Sequence, residues 1–397
     1  MKEVVIIATA RTAVGKIGGT LKNIQPEKLL TTVFEGVIQK AGIDPAIIDE
    51  VIAGQAKQST DAPNIARVSA LSAKIPEYIP AYTVHRQCAS GMQALYSAAE
   101  EIMCGDSDVV LTGGVESMST APFYIRGARF GVGNGNTEFI DPNIESQPKS
   151  QPNDIYGTFN MIQTADNVAK LFSITREECD TFAYESQIKA IRAIDNGLFK
   201  EEIVPVLVPQ KKSFITFDTD EFPKRDTNME KLSKLNPINE GGVTTAGNAS
   251  GRNDGASAIL LMSADKAQEL QLKPLAKIIG FAAAGVDPKI MGIGPVAATK
   301  KLLKKINMQI KDFDLYEINE AFAAQSIACA NELNIDRTKL NVNGGAIALG
   351  HPLGCSGSRI VGTLVHELKR RNAKYGLASI CIAGGLGMAM AIENPNL

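Results

Sequence analysis

The side chains that could serve as nucleophile or base are few, because this 397-residue chain has six cysteines and three histidines. Cys88 lies in "VHRQCASGMQAL", at the joint between an apolar strand-like run and a helix-like run. A helix N-terminus stabilises a thiolate, which is the reactive form of cysteine, so this position suits a nucleophile. A buried, unreactive thiol is equally compatible with the local sequence. The choice depends on which groups the rest of the chain brings to Cys88.

His351 is the histidine whose surroundings favour chemistry. It lies in "NVNGGAIALGHPLGCSG", an irregular glycine-rich turn before a helix, where packing alone gives little reason for an imidazole. His85 stands three positions before Cys88, so in an extended strand it would face the opposite way, and we interpret it as structural. His366 lies in "TLVHELKRR", beside a charge run, and is predicted to be a surface or boundary residue.

Two further stretches leave alternatives open. In "YEINEAFAAQS", Asn319 either caps a helix with Glu320 in its first turn or points into a pocket beside His351. In "ASICIAGGLG", Cys381 ends a strand and is either a core thiol or a second reactive group. We interpret the remaining cysteines outside glycine-rich turns, Cys104, Cys179 and Cys329, as reduced core thiols.

The elements that must position these residues alternate between apolar strands and amphipathic helices. "EVVIIATA" and "SDVVLTGG" are typical of buried strands, and "ASGMQALYSAAEEIM" has helical apolar spacing. This alternation predicts an α/β fold. A turn at 355–357, a helix "SRIVGTLVHELKRR" and the strand "LASICIAGGLG" repeat the order found around Cys88, so a duplicated fold is expected.

A less regular stretch separates the two similar halves. It contains predicted helices at "QTADNVAKLF" and "TREECDTFAYESQIKAIRAIDNG", the second with a Thr175–Glu178 capping box and an end at Gly197. "DGASAILLMS" is expected to complete the first half's sheet. The predicted domains are therefore 1–118 with 250–270, an inserted lid or binding domain at 119–249, and a second half at 271–397.

Composition narrows the classes of function. The net charge of -2 and the absence of Trp argue against a nucleic-acid partner. No apolar segment is as long as a membrane span, so no membrane partner is expected. No C-x-x-C pair and no dinucleotide fingerprint occur, so neither a metal nor a nucleotide cofactor is expected. Reduced thiols favour the cytoplasm.

Four blocks, "CASG", "NEAF", "GHPLG" and "CIAGG", together with "GGVESMS", "TAGNASGRNDGA" and "VDPKIMGIGP", resemble the thiolase family. The resemblance extends from "ARTAVGKIGG" to "CIAGGLG" and is to the acetyl-CoA acetyltransferase or 3-ketoacyl-CoA thiolase type. It implies two similar halves with five-stranded sheets in a five-layered αβαβα fold, with an inserted loop domain. It also implies a homodimer or homotetramer and no cofactor, since coenzyme A thioesters are the substrates.

The resemblance also implies roles for individual residues. Cys88 would carry the acyl group, His351 would take its proton, and Cys381 would act as general acid and base. Asn319 would hold a water that, with His351, stabilises the enolate oxygen. The backbone N–H groups of Cys88 and Ala383 would form a second oxyanion hole. The residues expected along the pantetheine and acyl channel are Met161, Ala246, Ser250, Phe322 and Ala383.

The sequence departs from the usual thiolase pattern at four positions. Ala89 and Ala383 stand where glycine is usual, and Asn160 and Ile162 stand where short-chain members often have His and Gly. The expected activity is condensation of two acetyl-CoA to acetoacetyl-CoA and CoA, and the reverse thiolysis. The alternative is a 3-ketoacyl-CoA thiolase acting on longer chains in fatty-acid β-oxidation. A remote alternative is a non-catalytic acyl-CoA- or lipid-binding relative, whose signature would be loss of a reactive residue.

Overall fold

Ten strands lie in one mixed sheet and two form a separate hairpin in the computed structural model, which describes residues 1–397. The strands are β1 (Val4–Arg11), β2 (Gly15–Lys16), β3 (Glu50–Gly54), β4 (Ala81–Val84), β5 (Val109–Ser117), β6 (Val206–Pro209), β7 (Phe214–Phe217), β8 (Asn253–Ser263), β9 (Ala276–Gly285), β10 (Leu315–Ile318), β11 (Tyr375–Ile382) and β12 (Leu386–Glu393).

Thirteen α-helices accompany the strands. They are α1 (Pro26–Ala41), α2 (Ile65–Ser72), α3 (Ser90–Cys104), α4 (Pro142–Glu145), α5 (Asn153–Tyr156), α6 (Met161–Leu171), α7 (Arg176–Asp195), α8 (Met229–Ser233), α9 (Ala264–Glu269), α10 (Gly294–Ile306), α11 (Ala323–Glu332), α12 (Ala346–Leu349) and α13 (Leu353–Arg371). None of them combines the length and the apolar character that crossing a membrane requires.

The sheet consists of two halves that repeat one strand order. In the first half, β1-β8-β5-β3-β4, strand β8 is antiparallel to both neighbours and the last pairs are parallel. In the second half, β9-β12-β11-β10, the same directions recur. Leu340 forms a parallel bridge with Tyr316 where a fifth strand would lie. The predicted duplication is confirmed, and β1 and β9 join the halves through a short antiparallel pairing.

Helices α3 and α13 pack between the two halves of the sheet. One core of 29 buried residues joins Leu95 of α3 and Leu364 of α13 to strands from both halves. A second core packs α1 and α2 on the outer face of the first half. A third packs α10 and α11 on the outer face of the second half. Helices and sheets therefore alternate in five layers, as the family resemblance implied.

The helices and the strand predicted after residue 119 are present. Helix α6 covers most of "QTADNVAKLF", and α7 begins with the predicted capping box, in which Thr175 Oγ1 accepts from the Glu178 N–H at 3.2 Å. Helix α7 ends at Asp195, and Gly197 follows with a φ of 68°. Strand β8 completes the first half by pairing with β1 and β5. The domain boundaries themselves stay a prediction.

Three predictions about packing were wrong. The turn expected at 355–357 lies inside α13, which begins at Leu353. His366 is only 8% exposed, and its Nε2 lies 2.8 Å from Thr9 Oγ1, because α13 is buried between the two half-sheets along most of its length. Cys104 is exposed because it is the last residue of α3. Cys179 and Cys329 are buried, as predicted.

Candidate active site

Cys88 lies in a sharp turn between β4 and α3. Gln87, just before it, has a φ of 46°, in the left-handed region that side chains rarely adopt. Ser90 Oγ accepts a hydrogen bond from the Arg86 N–H at 2.9 Å and closes the turn. Ala89 is the N-cap of α3 with a φ of -98°, so alanine fits there without strain. The turn therefore presents Cys88 at the N-terminus of α3, as the sequence predicted.

Cys88, His351 and Cys381 line one cavity of about 520 Å³. His351 and Cys381 are fully buried in its interior, whereas exposed basic side chains stand at its mouth. Residues that the sequence analysis expected along the channel also line it, and they are Met161, Ala246, Ser250, Phe322 and Ala383. The mouth carries Lys16, Lys224 and Arg252. The structure thus brings three reactive side chains from distant parts of the chain into one pocket.

The Cys88 thiol is held in its protonated form by its surroundings. Burial raises its pKa to about 11, although the backbone N–H groups of Ala383 and of Cys88 itself, and the Lys57 ammonium, oppose the rise. Backbone N–H groups that stabilise a thiolate can also stabilise an oxyanion formed beside it. At neutral pH the thiol therefore needs a base before it can act as a nucleophile.

The His351 imidazole is neutral and can therefore accept a proton. Burial and the nearby Arg359 guanidinium lower the pKa of His351 to about 3. Its Nδ1 lies 2.6 Å from Ser356 Oγ, and that hydroxyl also donates to the Pro352 carbonyl at 3.0 Å. Because the single hydroxyl proton goes to the carbonyl, Ser356 accepts from Nδ1–H. Nε2 then carries no proton and is the ring nitrogen that can accept one.

The turn that carries His351 is fixed by β8. The His351 N–H donates to Asn253 Oδ1 at 3.0 Å, and Asn253 Nδ2 donates to the Gly15 carbonyl at 2.9 Å. Gly350 has a φ of 102°, and a Cβ there would come within 2.4 Å of the Asn253 side chain. Only glycine fits this position, so the turn holds the imidazole in one place.

Asn319 contacts His351 directly. Its Nδ2 lies 3.4 Å from His351 Nε2, and its buried Oδ1 has no hydrogen-bond partner. The alternative role as a helix cap was wrong, because α11 begins at Ala323 with Phe322 as its N-cap. Glu320 is likewise outside the helix and accepts from Ser186 Oγ at 2.6 Å, among other donors. Asn319 and Glu320 therefore both lie outside α11. Asn319 belongs to the site, and Glu320 fixes the surrounding segments by accepting hydrogen bonds.

Cys381 is the penultimate residue of β11 and is fully buried. Burial and the negative charge of a Cys88 thiolate hold the pKa of Cys381 well above its usual value. The two thiols therefore oppose each other's ionisation, and only one thiolate forms readily at a time. After Cys381, Gly384 and Gly385 have φ values of 89° and 81°. Ala383 is not in this left-handed region, so a side chain is accepted where the family usually has glycine.

The acyl side of the cavity is apolar. Met161 and Ile162 of α6 pack with Met291 and Phe322 against Cys381. Asn160 caps α6, its Oδ1 accepting from the Gln163 N–H at 3.0 Å, and so it fixes where Met161 and Ile162 begin the helix. The capping explains Asn160 structurally, whereas Ile162 occupies cavity space.

The Ser250 backbone tethers the opposite side of the channel. Its N–H donates to the Ala321 carbonyl at 3.0 Å, and Ala249 bridges Phe322 in antiparallel fashion. The segment after the inserted stretch is thereby fixed against the segment that carries Asn319. This contact places the Ser250 side chain on the channel wall.

Sequence reasoning missed three residues of the site: Lys57, Glu116 and Ser356. Glu116 is fully buried at the end of β5 and accepts from the N–H groups of Ala56, Lys57 and Gly354, each at 3.0 Å. It thus ties the loop after β3 to the start of α13. An ionisable residue at the end of an otherwise apolar strand, as in "GGVESMS", was the available signal.

Comparison with known proteins agrees with this architecture. The family model for the thiolase N-terminal domain matches residues 4–265, and that for the thiolase C-terminal domain matches residues 272–394. An acetyl-CoA acetyltransferase of Cupriavidus necator is 48% identical over 395 residues, covering 99% of this chain and 100% of that protein.

Two solved structures have closely similar folds. The acetyl-CoA acetyltransferase of Bacillus anthracis superposes with a TM-score of 0.96 at 46% identity, covering 99% of each chain. Human mitochondrial 3-ketoacyl-CoA thiolase in complex with CoA superposes with a TM-score of 0.94 at 42% identity, covering 99% of this chain and 98% of that one. With both family models matched and full-length relatives at this identity, the chain belongs to the thiolase family.

Proposed function

We propose that the protein is an acetyl-CoA C-acetyltransferase, which condenses two acetyl-CoA into acetoacetyl-CoA and CoA and catalyses the reverse thiolysis. The observation that carries the proposal is the meeting of Cys88, His351 and Cys381 in one cavity. A covalent acyl carrier, a neutral imidazole and a second thiol are the groups that a condensation of two thioesters requires. The name of the Cupriavidus necator relative supports the same activity.

In the first half-reaction, Cys88 becomes acylated. His351 Nε2 takes the thiol proton, and the thiolate attacks the carbonyl carbon of acetyl-CoA. The N–H groups of Cys88 and Ala383, which favour negative charge on the sulfur, would stabilise the oxyanion beside it. Cys381 gives its proton to the departing CoA thiolate. An acetyl-Cys88 thioester, free CoA and a Cys381 thiolate result.

In the second half-reaction, the Cys381 thiolate removes a proton from the methyl group of the second acetyl-CoA. The unpartnered Oδ1 of Asn319 would accept from a water that, with His351, stabilises the enolate oxygen. The enolate carbon attacks the acetyl-Cys88 carbonyl, and the C–S bond breaks to give acetoacetyl-CoA. The Cys88 thiolate then regains its proton from His351.

Coenzyme A thioesters are proposed as the substrates, with no further cofactor. The exposed cations Lys16, Lys224 and Arg252 at the cavity mouth suit the phosphates of coenzyme A. We also propose the cytoplasm as the location, because both reactive thiols must stay reduced. A homodimer or homotetramer is proposed, in keeping with exposed Phe123, Phe130 and Phe139 in the inserted segment. Light scattering on the purified protein tests the oligomeric state.

The second candidate activity is thiolysis of longer 3-ketoacyl-CoA in β-oxidation. It is supported by the similarity to human mitochondrial 3-ketoacyl-CoA thiolase. A series of 3-ketoacyl-CoA substrates of increasing length separates the two activities. Loss of kcat/KM beyond four carbons supports the acetyltransferase, and an optimum at six to ten carbons favours the alternative.

A non-catalytic acyl-CoA-binding protein is the remote candidate. The wild-type protein, incubated with acetyl-CoA and digested, should give the Cys88 peptide with an added acetyl group by mass spectrometry. The Cys88→Ser variant is the matched control, because an oxygen ester there forms far more slowly. Absence of acetyl-Cys88 in the wild type would favour the binding protein.

A further inference from the structure

Lys57 is a cation on the wall of the reactive cavity that the proposed reaction does not use. It lies in the loop after β3, is half-buried, and lines the same cavity as Cys88. Its Nζ donates to Ser146 Oγ, which closes α4 in the inserted segment. Its backbone N–H donates to Glu116 Oε1 at 3.0 Å. Lys57 is thus held at its ammonium by Ser146 and at its backbone by Glu116.

Before the Cys88 proton is transferred, His351, Cys381 and Glu116 supply no positive charge beside the sulfur. His351 is neutral, since burial and Arg359 lower its pKa to about 3. When ionised, Cys381 and Glu116 each carry a negative charge. That charge disfavours formation of the Cys88 thiolate. The Lys57 ammonium favours the ionised form of Cys88, whereas Glu116 opposes it.

Lys57 itself faces charges of both signs. Glu116, Cys88 and Asp141 favour its protonated form, whereas burial and Arg252 disfavour it, and the pKa of Lys57 is lowered as a result. A partly buried ammonium is stabilised when an anion forms beside it, and the anion is stabilised equally. Ionisation of Cys88 provides such an anion.

We propose that Lys57, held by Ser146 and Glu116, provides the counter-charge for the Cys88 thiolate and sets how readily that nucleophile forms at neutral pH. The inference rests on the proposed role of Cys88 as nucleophile. The thiol proton passes to His351 Nε2, the sulfur keeps the electron pair, and Lys57 stays protonated throughout. Lys57 acts through Cys88 and is a positioning residue, not one that binds substrate.

Alkylation of Cys88 by iodoacetamide, measured against pH and resolved by peptide mass spectrometry, tests the proposal without relying on thiolase activity. In Lys57→Met, the midpoint of the pH profile should rise by about one unit, so that alkylation at pH 7 slows about tenfold. At high pH the two proteins should react at similar rates. Lys57→Arg keeps the charge and should remain within about threefold of the wild type.

Two controls separate charge from structure. Lys22→Met removes an exposed lysine outside the cavity and should leave the Cys88 profile unchanged. The exposed Cys104 serves as an internal reference in every sample. If Lys57→Met does not fold, Ser146→Ala, which frees the ammonium, should slow Cys88 alkylation at pH 7 about threefold.

A Cys88 profile that is the same in the wild type and in a folded Lys57→Met or Ser146→Ala variant overturns the proposal. This failure is distinct from failure of the proposed function. Loss of the lysine effect with normal acetyl-Cys88 formation refutes only the role of Lys57. A clear lysine effect on alkylation with no acetyl-Cys88 in the wild type refutes only the acetyltransferase.

Discussion

Replacing Ser356 by alanine tests whether one hydroxyl sets the protonation of His351. The Ser356 side chain is fully buried and lies 2.6 Å from His351 Nδ1. In Ser356→Ala the Nδ1–H keeps no acceptor, which costs about 1–3 kcal/mol for a buried donor. The imidazole can avoid that cost only by moving its proton to Nε2 or by rotating, and either change removes the base from Cys88.

The expected loss is therefore about 5- to 150-fold in kcat/KM, which corresponds to the same 1–3 kcal/mol. Thiolysis of acetoacetyl-CoA, followed by the absorbance of its enolate, measures the loss. Acetylation of Cys88 in a single turnover should slow by a similar factor, because the first proton transfer is affected.

Ser358→Ala is the matched control for this variant. Ser358 is also fully buried on α13, but its hydroxyl donates to the Cys355 carbonyl at 3.0 Å and contacts no reactive side chain. It should lower the unfolding temperature without lowering kcat/KM. Wild-type activity in a folded Ser356→Ala protein, or an equal loss in both variants, would refute the role assigned to Ser356.

Three further predictions follow from the site. Ile162→Ala should open the acyl side of the cavity and raise the ratio of kcat/KM for a six-carbon to that for a four-carbon substrate about tenfold. Ile162→Leu should leave this ratio unchanged. An unchanged ratio in both variants would contradict a role of Ile162 in chain-length preference. Gln87→Val should lower the free energy of unfolding by about 1–3 kcal/mol in denaturant titrations, whereas Gln87→Gly should not. Equal free energies of unfolding in the two variants would contradict backbone strain at residue 87. The pKa of His351 falls from 6.5 when unfolded to about 3 when folded, so the unfolded chain binds the proton first and stability is lost as pH falls from 6.5 towards 3. At pH 5 this amounts to about 2 kcal/mol, which His351→Asn should recover relative to its own stability at pH 7; an identical pH dependence in both proteins would argue against it.

The alternation of strands and helices and the turn before α3 were predictable from the sequence, whereas the prediction of a turn at 355–357 was wrong. The apolar strands, the capping box at Thr175 and the turn that presents Cys88 depend on neighbours within a few positions. The pairing of Cys88 with His351 required the family resemblance, because no local pattern joins residues so far apart. Their meeting in one cavity follows from the two half-sheets packing on α3 and α13.

Long-range packing explains the features that could not be predicted from the sequence. His366 has charged neighbours along the helix, and only the position of α13 between two half-sheets makes it buried. Ser356 and Lys57 are ordinary residues in sequence, and their importance arises from partners brought close by the fold. The role of Asn319 was ambiguous because the same polar residues suit both a helix start and a reactive site. The helix α11 in fact begins four residues later.

The central position of β8 has a consequence for synthesis of the chain on the ribosome. Strands β1 and β5 emerge early, but β8, which must insert between them, follows only after residues 118–252. At translation rates of about 5–20 residues per second, the two strands wait on the order of ten seconds with unpaired edges. Open apolar edges pair readily with other chains. Nascent protein should therefore depend on chaperones until residue 263 has left the exit tunnel, and fragments that end before β8 should aggregate.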